Sequence, residues 1–355
     1  MPTSSLHRFV CFVCVSFSPI ALVASTIHVP LDQPTIQQAI GVAVNGDIVL
    51  VSPGTYKENI DFKGKAITVQ SSNGPAGTMI DGGEKGPAVT FATNEGKTSV
   101  LTGFTIRNGS NANGAFAGGG ISITQASPTI SGNIITANSS CNNGAAIQSS
   151  GGSPVIRNNL ISGNFQAPFC FGDAGSVLIG SGTGVQLVGN VISGNPAGGV
   201  LLLDPQGSVL AEGNMITNNS GAGITWRNEF SAGGPVTLVQ NLVAGNEGTG
   251  VSWDLGPIVL VNNTIANNAA NFNSNASEIF ASVMNNQVTM VNNLVVGAIN
   301  ASTIYCVNFD STKRPIFNNN DIFSAAALAY AGTCPDLTGT NGNLSADPLF
   351  RAILS

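Results

Sequence analysis

The stretch Pro235-Val-Thr-Leu-Val-Gln-Asn241-Leu-Val-Ala-Gly-Asn246 recurs along this chain, and the recurrence limits what it can fold into. An Asn followed five positions later by a second Asn, with apolar residues between, occurs at Asn133/Asn138, Asn159/Asn164, Asn190/Asn195, Asn214/Asn219, Asn241/Asn246 and Asn263/Asn268. Weaker copies begin at Asn293 and Asn320, and Phe104 holds the matching place one unit earlier. Successive copies lie 22 to 31 residues apart. A unit that short cannot bury its own apolar face and must bury it on its neighbours, which makes the chain a solenoid.

Each unit reads as three short strands. In one of them Gly250-Val-Ser-Trp-Asp254 is the first, Ile258-Val-Leu-Val261 the second and Thr264-Ile-Ala266 the third, with turn residues between. Parallel strands normally need helical crossovers. No helical pattern separates these strands, so the chain must wind on itself, each strand pairing with its copy one coil away. The corner between the second and third strands needs a residue that tolerates left-handed backbone, and Asn does so better than other non-Gly residues. Stacked from coil to coil, Asn133, Asn159, Asn190, Asn214, Asn241, Asn263 and Asn293 can also bond along the axis, so these amides read as a structural ladder. A leucine-rich repeat partly fits Val236 to Val243, but the Gly-led strand Gly223-Ile-Thr-Trp226 and the missing Leu-rich helical half count against it.

The first 25 residues read as a secretory signal: His7 and Arg8, an apolar run from Phe9 to Val23, and small residues at Val23-Ala24-Ser25 for cleavage near Thr26. A membrane anchor is the alternative, for which the run is short, and no later run is long enough to span a bilayer. Residues 26–355 then form one domain: a cap and first coil over 26–60, coils over 61–325, and a C-terminal end over 326–355. Pro34 to Val44 is the one helical stretch, with Pro34 at its first position and Ile36, Ala39, Ile40 and Ala43 on one face. It covers the open end of the stack.

Losing the signal removes Arg8 and leaves 11 basic against 18 acidic residues, a net charge of −7. That argues against nucleic acid as a partner, and mildly against polyanionic sugars unless a metal bridges them. Cys11 and Cys14 leave with the signal; the four that remain suit an oxidising compartment, whether outside the cell, periplasmic or at its surface. Cys141 and Cys170 follow the second Asn of consecutive repeats, and Cys306 and Cys334 are also about one coil apart, so two disulfides are expected. Buried free thiols are the alternative.

Asn-Gly-Asp-Ile-Val-Leu-Val-Ser-Pro-Gly-Thr-Tyr at 45–56, Glu58-Asn-Ile60, and the repeats resemble the single-stranded right-handed parallel β-helix proteins of the pectate-lyase-like superfamily. Ser345-Ala-Asp-Pro-Leu-Phe350 resembles a segment near the end of such domains. The resemblance implies an all-β, right-handed parallel β-helix of about 11 or 12 coils, roughly 50 to 55 Å long. It leaves activity open, because this fold hosts enzymes and non-catalytic proteins alike. A hydrolase of the superfamily would need paired Asp and a Gly-His-Gly, yet His28 is the one His after the signal. A lyase would need acidic calcium ligands beside a base, and no Lys lies between Lys97 and Lys313. An esterase would need paired Asp with Arg at a spacing the coils lack.

Aligning the Gly-led strands sets Val200, Ile224 and Val251 in one inward column and Leu202, Trp226 and Trp253 in the next. Arg227 and Asp254 then point outward, with Asp204 and Glu229 close by. These four are the candidates for a catalytic or binding patch, against an ordinary cross-strand Arg–Asp pair. A register shifted by one would turn Trp226 and Trp253 outward as a stacking platform. Leu201, Leu203, Phe280 and Tyr305 also fall outward, under loops or at a partner surface. The first functional reading is a secreted monomer that binds polysaccharide or cell-surface glycan without catalysis. The alternatives are a polysaccharide lyase or glycoside hydrolase with its site near Arg227 and Asp254, and a stalk of a longer surface protein or adhesin. No cofactor is implied, and calcium enters only for a lyase.

Overall fold

The computed structural model describes residues 24–350 apart from 112–117, 142–143, 169, 171–174, 229–232, 269–276, 299–301 and 326–327. Residues 1–23 of the signal segment and Glu229 lie outside the described residues. Three parallel sheets run the length of the molecule, one for each strand of the unit. Sheet I, from the Gly-led first strands, has eleven strands, sheet II from the second strands has twelve, and sheet III from the third strands has eleven. Every neighbour is the copy one coil away, and every pairing is parallel: Trp226 lies beside Trp253, Leu238 beside Leu260, and Val243 beside Ile265. Three short strands, Ser110–Asn111, Ser139–Ser140 and Phe165–Gln166, add a small fourth sheet between III and I.

Period-2 alternation produces this architecture directly. In Val236–Val239 and Ile258–Val261 the first and third residues are buried and the second and fourth are partly exposed. The inward columns of the three sheets meet in one continuous core that includes Ile216, Trp226, Leu238, Val243 and Trp253.

The Asn residues make two columns. In the first, the backbone N–H of Phe104 donates to Asn133, and the chain of bonds continues through Asn159, Asn190, Asn214, Asn241, Asn263, Asn293 and Asn320 to Asn343. Between successive Asn residues Nδ2 donates to the next Oδ1 at 2.9 to 3.2 Å. The second runs from Gly109 through Asn138, Asn164, Asn195, Asn219 and Asn246 to Asn268. It ends on the buried carboxylate of Glu278, which accepts from the N–H and the Nδ2 of Asn268 and from the N–H of Ala298. The sequence reading gave the Asn itself the left-handed corner, and that is corrected here. The residue before it takes the positive φ: Asn158, Gly189, Gly213, Gln240 and Asn262 lie between 54° and 63°. The division of labour is physical, because a left-handed residue at the corner frees the following side chain to point inward, where its amide meets the next coil.

The helix spans Ile36–Val42, shorter than the sequence suggested, and buries Ile36, Ala39 and Ile40. Pro34 precedes the cap instead of opening the helix: Thr35 is the N-cap, and its Oγ1 accepts from the N–H of Gln38 at 3.1 Å. The segment singled out at 45–60 holds this helix in place. Glu58 accepts from the N–H groups of Ile36 and Gln37, and Asp47 accepts from Ser25 and Val44. Those bonds hold the Asp47 carboxyl below its ordinary range, led by the Val44 and Ser25 N–H groups. At the other end Lys65 Nζ donates to the carbonyls of Ile40, Gly41 and Ala43 at 2.6 to 2.7 Å. Lys65→Ala is therefore expected to cost about 1 to 2 kcal/mol, the range for charged hydrogen bonds on a half-exposed side chain. Lys65→Met keeps the aliphatic stem, and a urea titration showing that both variants match the parent would remove this role for the ammonium.

Cys141 and Cys170 form a disulfide, as do Cys306 and Cys334, each with Cα atoms 5.1 Å apart. Among the described residues, no helix is long and apolar enough to cross a membrane.

Candidate functional site

The outer face of sheet I gathers the sequence candidates, and register decides which of them belong together. Leu203 lies beside Arg227, and Trp226 beside Trp253. Both indoles point inward and are 1% exposed. Trp226 Nε1 donates to Asn228 Oδ1 at 3.2 Å, and Trp253 Nε1 donates to the Val283 carbonyl at 3.1 Å. Their ring faces are packed in the core and are not open to a sugar.

Arg227 and Asp254 follow those two Trp residues and share one outward row. No ion pair joins them among the described residues. Asp254 Oδ1 instead accepts from Ser282 Oγ at 2.9 Å, one coil further on. Asp204 does not join the row. It sits one residue past the strand Val200–Leu203 with φ at 44°, and it is 6% exposed. It closes the turn, and its backbone N–H donates to the Arg227 carbonyl at 2.9 Å.

A second outward row runs beside the first through Leu201, Thr225, Ser252, Phe280 and Tyr305. Ser252 Oγ donates to Thr225 Oγ1 at 3.2 Å. Phe280 and Tyr305 stack with centroids 5.8 Å apart and planes 5° apart. Both rings are partly exposed, whereas Leu201 is covered, at 2% exposure. Together the rows make a strip three inter-strand steps long, about 14 Å, that carries a guanidinium, a carboxylate, three hydroxyls and a two-ring stack. Among the described residues no group of three His, Cys, Asp or Glu side chains is placed to hold a metal ion.

A second charged group lies near the N-terminal end. Asp81 accepts from Arg107 Nε at 3.0 Å, from Asn108 Nδ2 at 2.9 Å and from the Gly83 N–H at 3.1 Å. Burial raises its pKa, but the bonds from Asn108, Gly83 and Arg107 outweigh it and hold the carboxyl below its ordinary range. Its acceptor capacity is spent on its own coil and the next, which is a structural arrangement.

The family model described as "Right handed beta helix region" matches residues 68–232 and 119–295. The chain belongs to that family. Among solved structures, this right-handed β-helix is similar to two mannuronan C-5 epimerase A-modules of Azotobacter vinelandii. For the AlgE6 module the identity is 16%, the TM-score 0.57, and the match covers 88% of this chain and 93% of the other. For the AlgE4 module the identity and coverage are the same and the TM-score is 0.54. A pectate lyase, Pel9A, matches at 15% identity and TM-score 0.44, over 88% of this chain and 76% of the other. At such identity the likeness is one of fold. No curated protein matches the sequence significantly.

Sequence reasoning found Arg227 and Asp254 in this β-helix but passed over Thr225, Ser252 and Ser282. Hydroxyls are too common in the chain to stand out. Position does not single them out either, because the same outward columns carry Ser122 and Gln148, and Thr124 and Ser150, in earlier coils. Phe280 and Tyr305 were placed outward, and their mutual stacking is the added fact.

Proposed function

We propose that this β-helix acts outside the cell as a carbohydrate-binding protein, and that a glycan chain lies along the exterior of sheet I across Arg227, Ser252, Asp254 and Phe280. The observation that carries this reading is the continuous strip itself, where a charged or hydroxyl group stands on each of four successive strands and leads into an aromatic stack at one end. Sugars are bound by that combination of hydrogen-bonding groups and apolar ring surface. The two disulfides support an oxidising location. The likeness to two mannuronan C-5 epimerase modules makes uronate chains the first ligands to test, and Arg227 is the group suited to a carboxylate.

An epimerase, lyase or hydrolase at the same place is the second reading. Its weakness is the base: an arginine stays protonated in proteins, the strip holds neither Lys nor His, and its one carboxylate, Asp254, is engaged with Ser282 Oγ. The test is one panel of polyuronates and neutral glycans, with and without calcium. Binding without cleavage, weakened about tenfold or more in Arg227→Ala by loss of a charged hydrogen bond, is the expected result. New unsaturated or reducing ends that vanish in Arg227→Ala would replace it with the catalytic reading. No binding to any member would remove the glycan reading.

A further inference from the structure

The exterior of sheet II is almost free of charge, and the two charges it has are placed symmetrically. Its outward residues form two columns. One passes through Arg157, Val188, Glu212, Val239, Val261 and Val291 in consecutive strands. Apart from His28 on the terminal strand Thr26–Val29, Arg157 and Glu212 are the only ionisable outward residues of the sheet among those described. The valines are partly exposed, and Ile316 at the far end of the other column is 50% exposed. Arg157 is exposed and Glu212 half-exposed, and neither has an ion pair or a side-chain hydrogen bond among the described residues.

The positions of these charges define a symmetry operation. Val188 lies beside Arg157 on one side and beside Glu212 on the other. A two-fold axis along the strand Gly184–Val188, in the plane of contact, brings Arg157 of each subunit opposite Glu212 of the other. Val188 then meets its own copy on the axis. The strand Gly184–Val188 is the seventh of the twelve, so every strand except the terminal Thr26–Val29 finds a counterpart. Two like sheets pack face to face about 10 Å apart, a gap that an Arg and a Glu reaching from opposite sides can close.

From this self-complementarity we infer that the chain forms an antiparallel homodimer through sheet II, against the monomer expected from the sequence. Eleven strands at about 4.8 Å, each about 10 to 16 Å long, give on the order of 600 Å² per subunit. That is the lower end of the range for specific interfaces and fits a dimer that dissociates on dilution. Sheet I lies on another face of the coil and stays open in each subunit.

The test is sedimentation or light scattering of the purified chain over a concentration series. The expected result is a dimer whose share rises with concentration. Arg157→Glu and Glu212→Arg each set like charges together twice per dimer and are expected to weaken association tenfold or more. The double variant Arg157→Glu/Glu212→Arg restores it. Val188→Arg, which repels itself on the axis, abolishes it. All three positions are on the surface, and an unchanged far-ultraviolet circular dichroism spectrum confirms that each variant folds. A wild-type chain that stays monomeric throughout overturns the inference. So does a dimer that the single reversals leave intact, or one that the double variant fails to restore.

Discussion

Asn214→Ala is expected to lower the free energy of unfolding by about 3 to 5 kcal/mol, the cost of several buried polar groups losing their partners at once. Asn214 is 2% exposed and lies mid-column. Its Oδ1 accepts from the N–H and the Nδ2 of Asn190, at 2.9 and 3.0 Å. Its own Nδ2 donates to the Leu187 carbonyl at 2.8 Å and to Asn241 Oδ1 at 2.9 Å. Removing the amide strands two donors and a carbonyl, each worth about 1 to 3 kcal/mol when left unmet in the interior. The next residue provides the contrast: Met215 is 44% exposed, and Met215→Ala is expected to cost under about 1 kcal/mol. Denaturant titrations of the two variants side by side decide the matter. Equal costs would mean that the amides fill space and little more.

The second large effect concerns the carboxylate that closes the other column. Burial pushes the Glu278 pKa up to about 7 from 4.5, and the hydrogen bonds from Asn268 and Ala298 only partly offset it. The sign follows from the direction. Between pH 4.5 and about 7 the folded chain keeps a proton that the unfolded chain has released. The contribution of Glu278 is therefore most favourable at and below pH 4.5, is lost as pH rises through that window, and is level above it. The span corresponds to at most about 3 kcal/mol at 1.36 kcal/mol per unit. The carboxylates of Asp47 and Asp81, held low, work in the opposite sense under more acidic conditions. Subtracting the stability of Glu278→Gln from that of the parent at each pH isolates the Glu278 part. A difference curve that is flat from pH 4 to 9 would show that this carboxyl does not titrate near neutrality.

The coil architecture was readable because one spacing repeats, and a repeat that cannot stand alone has few ways to fold. The inward setting of Trp226 and Trp253 followed from period-2 alternation only once the register was chosen, since a shift of one would have turned both outward. The column ends were harder to see. Asn343 sits beyond the last clear copy of the repeat, and Glu278 replaces an Asn with another acceptor only ten residues after Asn268. Nothing in a single unit says that a carboxylate there faces inward. The helix boundary moved because Thr35 offered a better cap than Pro34 a start. At the site, Asp204 looked available by proximity to Arg227, but the left-handed turn that ends its strand carries it into a buried corner. Such a turn is invisible in composition, since Asp at a strand end is compatible with either outcome.

The two amide columns have a consequence for how the molecule could be cut or extended. In both columns one Nδ2–H of each Asn donates towards the C-terminal end and its Oδ1 accepts from the N-terminal side, while the second Nδ2–H bonds a backbone carbonyl one coil earlier, so the Asn-to-Asn bonds all run in one direction along the axis. The stack thus has a polarity, with partial positive charge gathering at the later coils, as at the first turn of an α-helix. A pair of acceptor oxygens is the matching terminus, and the Glu278 carboxyl supplies it to the second column. A shortened version ending after Asn246 would expose donors at one end and acceptors at the other. It would need an acidic group added at its last coil, and none at its first.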